Sequence, residues 1–232
     1  MKCSKTPREY FLPSGELLAR GVSDQGCSAC VDTKTHWGKV YATKAPESVS
    51  WYRAHLETSV ALIERAAVAR SFSIIGGGES TLVDHLLLRG SKNLTALDIS
   101  QTAIEVTKKR LGSAAEQVRW LVGDIFEIEL EPHAHDPWDD RAVFYFLTTA
   151  ERRLAYVRQV TRAVKPGGQV IVSTFGPEGP TKCSGLEVMR YDAESLHGEF
   201  GGHFGLVQNS EELHQTPFGT AQQFLYCYCG LE

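Results

Sequence analysis

The sequence predicts an α/β domain: a mostly parallel sheet, covered by helices on both faces and finished by an antiparallel strand. Three observations predict it. Short β-rich runs alternate with amphipathic stretches of helical period along most of the chain. Glycine or Pro-Gly punctuation closes the helical stretches, at Gly90, Gly112 and Lys165-Pro166-Gly167-Gly168. The last two β-rich runs are joined by a loop alone, the short connection that an antiparallel pair allows.

Taken in order, residues 1 to 35 read as an irregular arm broken by Pro7, Pro13, Gly15, Gly21 and Gly26, with a short helical stretch at Glu16 to Arg20. Glu57 to Ala69 carries Val60, Ile63 and Ala67 at helical spacing. Ser71 to Ile75 is a strand that runs into Gly76-Gly77-Gly78, and Ser80 to Arg89 is a helix with Leu82, Leu86 and Leu87 on one side. Leu94 to Asp98 is a strand and Thr102 to Leu111 a helix, with Ser100 placed as its N-cap. Val118 to Val122 is a strand leading into Gly123-Asp124. Thr149 to Val164 is a long helix, Gln169 to Phe175 a β-branched strand and Ala193 to Phe200 a short helix. Phe204 to Asn209 and Gln222 to Cys229 close the chain as strands; Cys227 and Cys229 share a parity and so one face. For the fourth strand, propensity alone selects Arg141 to Leu147.

Charge and cysteine usage narrow the function classes. In 232 residues, 24 Lys+Arg face 28 Asp+Glu, a formal charge of -4, which excludes a generic binder of phosphate backbones; no nucleic-acid partner is expected. No apolar run approaches the roughly 20 residues of a bilayer span, and no apolar segment follows the basic N-terminus. The chain therefore reads as soluble and cytoplasmic, with no membrane partner. Six cysteines are too few for a disulfide scaffold of this length. Cys27-Ser28-Ala29-Cys30 has metal or redox spacing but no second pair to complete it, and reads as a surface pair. His133-Ala134-His135-Asp136 reads as a polar connection, so no metal is expected. Leu231-Glu232 is set aside as a possible tag remnant.

Function in such a sheet lives at the carboxyl ends of the strands. The first strand-to-helix turn is Gly76-Gly77-Gly78-Glu79-Ser80, where glycines let main chain approach a ligand; a plain tight turn is the alternative. Asp98 ends the next strand, placed to accept hydrogen bonds from ribose hydroxyls or to cap the following helix. Asp124 follows the third strand, where its side chain can accept from an adenine amino group between apolar walls made by Ile125 and the Leu97 to Ile99 stretch.

Gly76-Gly77-Gly78, Asp98, Gly123-Asp124 and Lys165-Pro166-Gly167-Gly168 together resemble the class I S-adenosylmethionine-dependent methyltransferases, from about His36 to the C-terminus. The resemblance implies a Rossmann-like, seven-stranded sheet with an antiparallel last strand. It divides the chain into an arm (1–35), a cap (36–70) and a core (71–230). It places the glycine loop, with Ser80 beside it, under the methionine moiety, Asp98 on the ribose, and Asp124 with Ile99 and Ile125 at the adenine. The family carries an acidic residue where Ile74 stands, and Asp140 is a candidate to replace it. The resemblance ends the fourth strand at Trp138-Asp139-Asp140, which puts Asp139, Asp140 and Arg141 beside the sulfonium and makes Asp140 and Arg141 the candidate catalytic residues; a solvated loop with an internal ion pair is the alternative. His36 to Tyr41 and Ser50-Trp51-Tyr52 resemble the cap of protein-lysine-methyltransferase-like members, where Trp51 and Tyr52 would cover the cofactor; plain packing is the alternative.

The segment from Gly176 to Leu186 has the composition of a lid, and Cys183, Arg190, Tyr191, His214 and Thr216 to Gly219 are candidates for the same mouth. The reading is a methyltransferase acting on an N, O or S nucleophile of a small molecule or protein side chain. No oligomeric state is read. A non-catalytic S-adenosylmethionine-binding module and an NAD-dependent oxidoreductase stand as alternatives; the second lacks GxGxxG.

Overall fold

The computed structural model describes residues 32–66 and 71–232. Glu16 to Arg20, the Cys27/Cys30 pair and the end of the Glu57 to Ala69 helix lie outside the described residues. The described chain opens with α1 (Thr33–Thr43), whose N-cap Asp32 accepts hydrogen bonds from the N–H groups of Lys34 and Thr35; it begins before the 35/36 boundary drawn from the sequence. Then come α2 (Glu57–Arg65), β1 (Ser73–Ile75), α3 (Leu82–Leu88), β2 (Leu94–Asp98), α4 (Gln101–Leu111) and β3 (Val118–Val122). β4 (Trp138–Arg141), α5 (Ala150–Ala163), β5 (Gln169–Phe175), β6 (Lys182–Cys183), β7 (Leu186–Glu187), α6 (Ala193–Phe200), β8 (Phe204–Gln215) and β9 (Ala221–Leu231) complete it.

Seven strands form one sheet in the order β3-β2-β1-β4-β5-β9-β8. The first five are mutually parallel; β9 runs antiparallel to β5, and β8 antiparallel to β9. The chain moves outward from β1 to β3 and then returns to place β4 on the other side of β1, so the switch point lies between β1 and β4. The central strands are buried on both faces: all of β1 and β2 is inaccessible. Alternation is clearest on β9, where Leu225, Cys227, Cys229 and Leu231 enter one core and Phe224, Tyr226 and Tyr228 the other.

The fourth strand is the one that the resemblance implies, not the Arg141 to Leu147 run that propensity alone selects: β4 spans Trp138–Arg141, Ala142 turns at φ 75, and Phe144 to Phe146 form a 3-10 turn. The Asp140 carboxylate stops the strand by accepting from the N–H groups of Val143 (2.8 Å) and Phe144 (3.4 Å). Leu231, set aside with Glu232, is the last residue of β9; it is buried and exchanges backbone hydrogen bonds with Gly167 and Gly168. β8 is also longer than the Phe204 to Asn209 expected, continuing past a register shift at Leu206/Gln208. Among the described residues no helix is long and apolar enough to cross a membrane.

A two-lobed candidate cofactor cleft at the switch point

Two adjoining cavities open at the carboxyl ends of β1, β2 and β4, taking in about 860 and 520 Å³ of space that is partly open to solvent. Tyr41, Trp51, Ile75, Gly76 and Arg141 line both and form their junction. Gly76 has a positive φ of 69°, and a Cβ there would meet Val143 Cγ2 at 2.4 Å, so this position takes only glycine. The N–H groups of Gly76 and Gly77 both donate to Leu97 O. Gly77 and Gly78 do not line the cleft. Gly78 is required by packing instead: a Cβ would lie 2.4 Å from Ala103 Cβ and 2.7 Å from Asp98 Oδ2.

Asp98 lines the larger cavity and is 4% exposed. Its Oδ2 accepts from Gly78 N–H (3.0 Å) and its Oδ1 from Ser100 N–H (2.8 Å), while Ser100 Oγ caps α4 through Ala103 N–H. Burial pushes its pKa up to about 6, and the Ser100 and Gly78 N–H groups hold it from rising further. Each oxygen keeps a lone pair for a further donor. Ile99, Ile125 and Asp124 line the same cavity beyond Asp98. Asp124 also caps a turn: its Oδ1 accepts from Phe126 N–H at 3.0 Å, and Arg152 lies 3.6 Å from its Oδ2.

The outer wall is aromatic. Trp37 and Tyr41 stand one turn apart on α1, and Trp37 makes edge contacts with Trp51 (5.7 Å) and Phe146 (5.2 Å). Three successive anchors hold the segment that carries Trp51. His214 Nε2–H donates to Ser50 O (2.7 Å), Arg141 to Trp51 O (3.2 Å), and Thr81 Oγ1–H to Arg53 O (2.9 Å). His214 therefore anchors the segment rather than reaching the mouth, and burial lowers its pKa, which keeps it neutral. Thr216 closes the β8–β9 turn through Phe218 and Thr220 N–H. Cys183 does line the larger cavity, on a β6–β7 hairpin turned by Ser184 and Gly185, both at positive φ. Arg190 ties that lid by donating to Pro177 O and Gly179 O, and Tyr191 packs on Phe144 in the core.

The two candidate catalytic residues separate. Arg141 sits at the junction: its Nε–H donates to Tyr226 OH (3.3 Å), its Cζ lies 4.7 Å from the Phe224 ring centroid, and its Nη2 is buried with no hydrogen-bond partner. Asp140, expected beside the sulfonium, lines neither cavity. Its other oxygen accepts from Tyr156 OH, which itself accepts from Trp138 Nε1–H, so the carboxylate is consumed in the core behind β4. Asp139 faces the smaller cavity in its place, 2% exposed, with neither carboxylate oxygen hydrogen-bonded. Glu79 is alike: 8% exposed, on the smaller cavity, both oxygens unpartnered. Burial raises the pKa of Glu79 to about 7 and pushes Asp139 and Asp140 up as well. Ser80 and Tyr52 line this lobe too.

Glu79, Tyr145 and Arg53 were missed as site residues. Asp139, expected beside Asp140 and Arg141, does line the smaller cavity, in register with Ile74 on β1. Among the described residues no group of three His, Cys, Asp or Glu could hold a metal ion. His133 bonds Val164 O, and His135 bonds Ser73.

Residues 74–172 match the family model described as Methyltransferase domain. Over 136 residues, 59% of this chain and 19% of the other, the chain is 25% identical to the eEF1A lysine and N-terminal methyltransferase of Mus musculus. Over 133 residues, 57% of this chain and 44% of the other, it is 37% identical to a malonyl-acyl-carrier-protein O-methyltransferase of Anoxybacillus flavithermus. The chain thus spans less than half the length of either relative. The N-methyltransferase NodS of Bradyrhizobium japonicum, solved with S-adenosylhomocysteine, shares the fold at a TM-score of 0.62 and 11% identity, over 86% of this chain and 99% of that one.

Proposed function

We propose that the chain is a class I S-adenosylmethionine-dependent methyltransferase that transfers a methyl group to a nitrogen, oxygen or sulfur nucleophile of a small molecule or a protein side chain; the methyltransferase-domain match over residues 74–172 and the shared fold support this reading. In this reading the cofactor is S-adenosylmethionine, and the chain's own residues fit it. Gly76 is a place that a Cβ would fill, Asp98 keeps acceptor capacity in an otherwise closed pocket, and the smaller lobe holds unmatched charge of both signs. When bound, the cofactor supplies an electrophilic methyl group on a sulfonium.

The carrying observation is the continuity of the two lobes through Gly76, Trp51 and Arg141. In this reading Asp98 holds the ribose, Asp124 with Ile99 and Ile125 frames the adenine, and Trp51, with Trp37 and Phe146 behind it, covers the junction and excludes water. Arg141 fixes the cover through Trp51 O and presents its charge at the junction. Asp140 acts on the site only by shaping the Ala142 to Phe146 turn. The acceptor enters between α1 and the lid, past Tyr145, Phe146 and Cys183. The names of the relatives cover amine and oxygen acceptors, and both suit this opening. The free thiols of Cys183, Cys227 and Cys229 accord with a cytoplasmic setting.

Calorimetry with S-adenosylmethionine, S-adenosylhomocysteine and NADH tests the reading, followed by a screen of amines, carboxylates and thiols for release of S-adenosylhomocysteine. Binding of the first two without NADH, and turnover on one acceptor class, is expected. Binding of NADH alone refutes it.

A further inference from the structure

The cover over the junction is held from the far edge of the sheet. Residues 50–56 form a strap without helix or strand structure that enters α2, and Trp51, Tyr52 and Arg53 on it line the cleft. A strap of this kind has no backbone ladder of its own, so side chains must fix it. Glu212, on the outermost strand β8, accepts at Oε1 from Arg53 Nη1–H and at Oε2 from Thr58 Oγ1–H. Tyr226 OH also donates to its Oε2, at 3.4 Å, and in turn accepts from Arg141 Nε–H, whose guanidinium holds Trp51 O. His214 lies two residues further along β8, on the same face, and holds Ser50 O. Residues 50, 51, 53 and 58 are thus all tied, directly or through Arg141, to the β8–β9 hairpin.

Glu212 lines neither cavity, and its side chain is 10% exposed. Its partners are the strap, the start of α2 and the tyrosine that carries Arg141. A satisfied buried ion pair adds little stability over apolar side chains of the same size, but it fixes geometry. We propose that Glu212 is a positioning residue: with His214 it latches the strap against β8, so that Trp51 stays closed over the bound cofactor. The role rests on the cofactor reading above. Such a latch sets the share of chains in which the cover is closed, and binding that needs the closed form weakens as that share falls.

Arg53 supplies its own reporter. Trypsin cleaves after arginine, and it reaches the Arg53–Ala54 bond when the side chain leaves Glu212 and Glu57 and the carbonyl leaves Thr81. Lys92, exposed in the loop before β2, gives the reference cut. Glu212→Gln keeps the size of the side chain and removes its charge. It should speed the cut after Arg53 about tenfold relative to that after Lys92, and weaken S-adenosylhomocysteine about tenfold by calorimetry. Saturating S-adenosylhomocysteine should restore the protection of Arg53 in this variant. Gln208→Ala frees Arg65 at the other end of α2 from the same strand and leaves the strap's ties in place; it should change either measurement by less than about twofold. Faster cutting with unchanged affinity, weaker affinity with unchanged cutting, or equal effects in Gln208→Ala overturns the proposal. A second arm needs no variant: S-adenosylhomocysteine should slow the Arg53 cut in the unsubstituted chain about tenfold and leave the Lys92 cut unchanged, and an unprotected Arg53 in the ligand-bound chain overturns the latch. If the unsubstituted chain does not bind S-adenosylhomocysteine, the cofactor reading fails and the positioning role with it.

Discussion

Glu79→Gln should stabilise the ligand-free protein, by an amount that depends on pH in a fixed direction. The carboxyl of Glu79 is 8% exposed and unpartnered, and burial raises its pKa from 4.5 to about 7. Below pH 4.5 the group is protonated in folded and unfolded chains alike and costs nothing through ionisation. Between 4.5 and 7 the unfolded chain gives up a proton that the folded one retains, so folding stability falls as pH rises. Above 7 the full penalty is present. A tenfold change in proton affinity corresponds to about 1.4 kcal/mol, so the ionised side chain costs the fold about 3 kcal/mol at pH 8. Glutamine keeps the size of the side chain and cannot ionise. For a chain of this length about 1 kcal/mol moves Tm by roughly 2–4 °C, so the gain at pH 8 is roughly 6–12 °C.

Thermal melts of both proteins at pH 4 and pH 8, without ligand, check it. At pH 4 the two should melt within about 1 °C of each other, because the protonated acid and the amide are both uncharged and of nearly equal size. An equal shift at both pH values would refute the ionisation argument, and so would destabilisation at pH 8.

Asp98→Ala should weaken S-adenosylhomocysteine by about 1.5–3 kcal/mol, or about 10- to 150-fold, because charge-assisted acceptors are lost; calorimetry giving an unchanged Kd would remove Asp98 from the ribose. Gly78→Ala should lower stability by about 1–3 kcal/mol through the clash with Ala103 and Asp98, whereas Gly38→Ala, in α1 with no atom within 4 Å of the added methyl, should raise it by about 0.5–1 kcal/mol; denaturant titrations that rank them the other way would contradict the packing. Tyr156→Phe should cost about 1.5–3 kcal/mol, since it takes a donor from the Asp140 carboxylate and an acceptor from Trp138 Nε1–H; an unchanged denaturation midpoint would show that Asp140 does not depend on that hydroxyl.

The sheet and most helices were legible because their signals are local. Leu94 to Asp98, Val118 to Val122, Gln169 to Phe175 and Ala193 to Phe200 are bounded in the structure as the periodicity bounds them, since each run ends at a turn or cap residue. β8 was read short because Ser210 to Gln215 is polar; its pairing comes from β9, a non-local partner. Asp98 and Gly76 stood out because they terminate strands that feed the cleft. Gly78 was right as a glycine and wrong in its reason, since a requirement imposed by Ala103 across the loop leaves no mark near residue 78. His214 was legible as part of the cleft's surroundings, but its bond to Ser50 joins positions 164 residues apart.

β4 shows how one strand can mislead and also correct itself. Trp138-Asp139-Asp140-Arg141 offers two adjacent carboxylates, and charge alone gives no ground for choosing between them. Strand geometry does, because successive side chains face opposite sides of a sheet. Asp139 pairs with Ile74 and Asp140 with Ile75, and these isoleucines belong to different cores. Only one aspartate can therefore share the Ile74 face, where the missing acid was sought. The other must enter the core that holds Trp138 and Tyr156, where a carboxylate survives only by taking every donor within reach, and Asp140 takes three. Parity alone thus assigns the cavity-facing acid to residue 139 and makes residue 140 the one that shapes the turn. A swap tests it: Asp140→Asn should destabilise the chain and leave S-adenosylhomocysteine within threefold of its original affinity once folded, while Asp139→Asn should do the reverse, and an exchange of these two outcomes would mean that the strand presents its other face to the cleft.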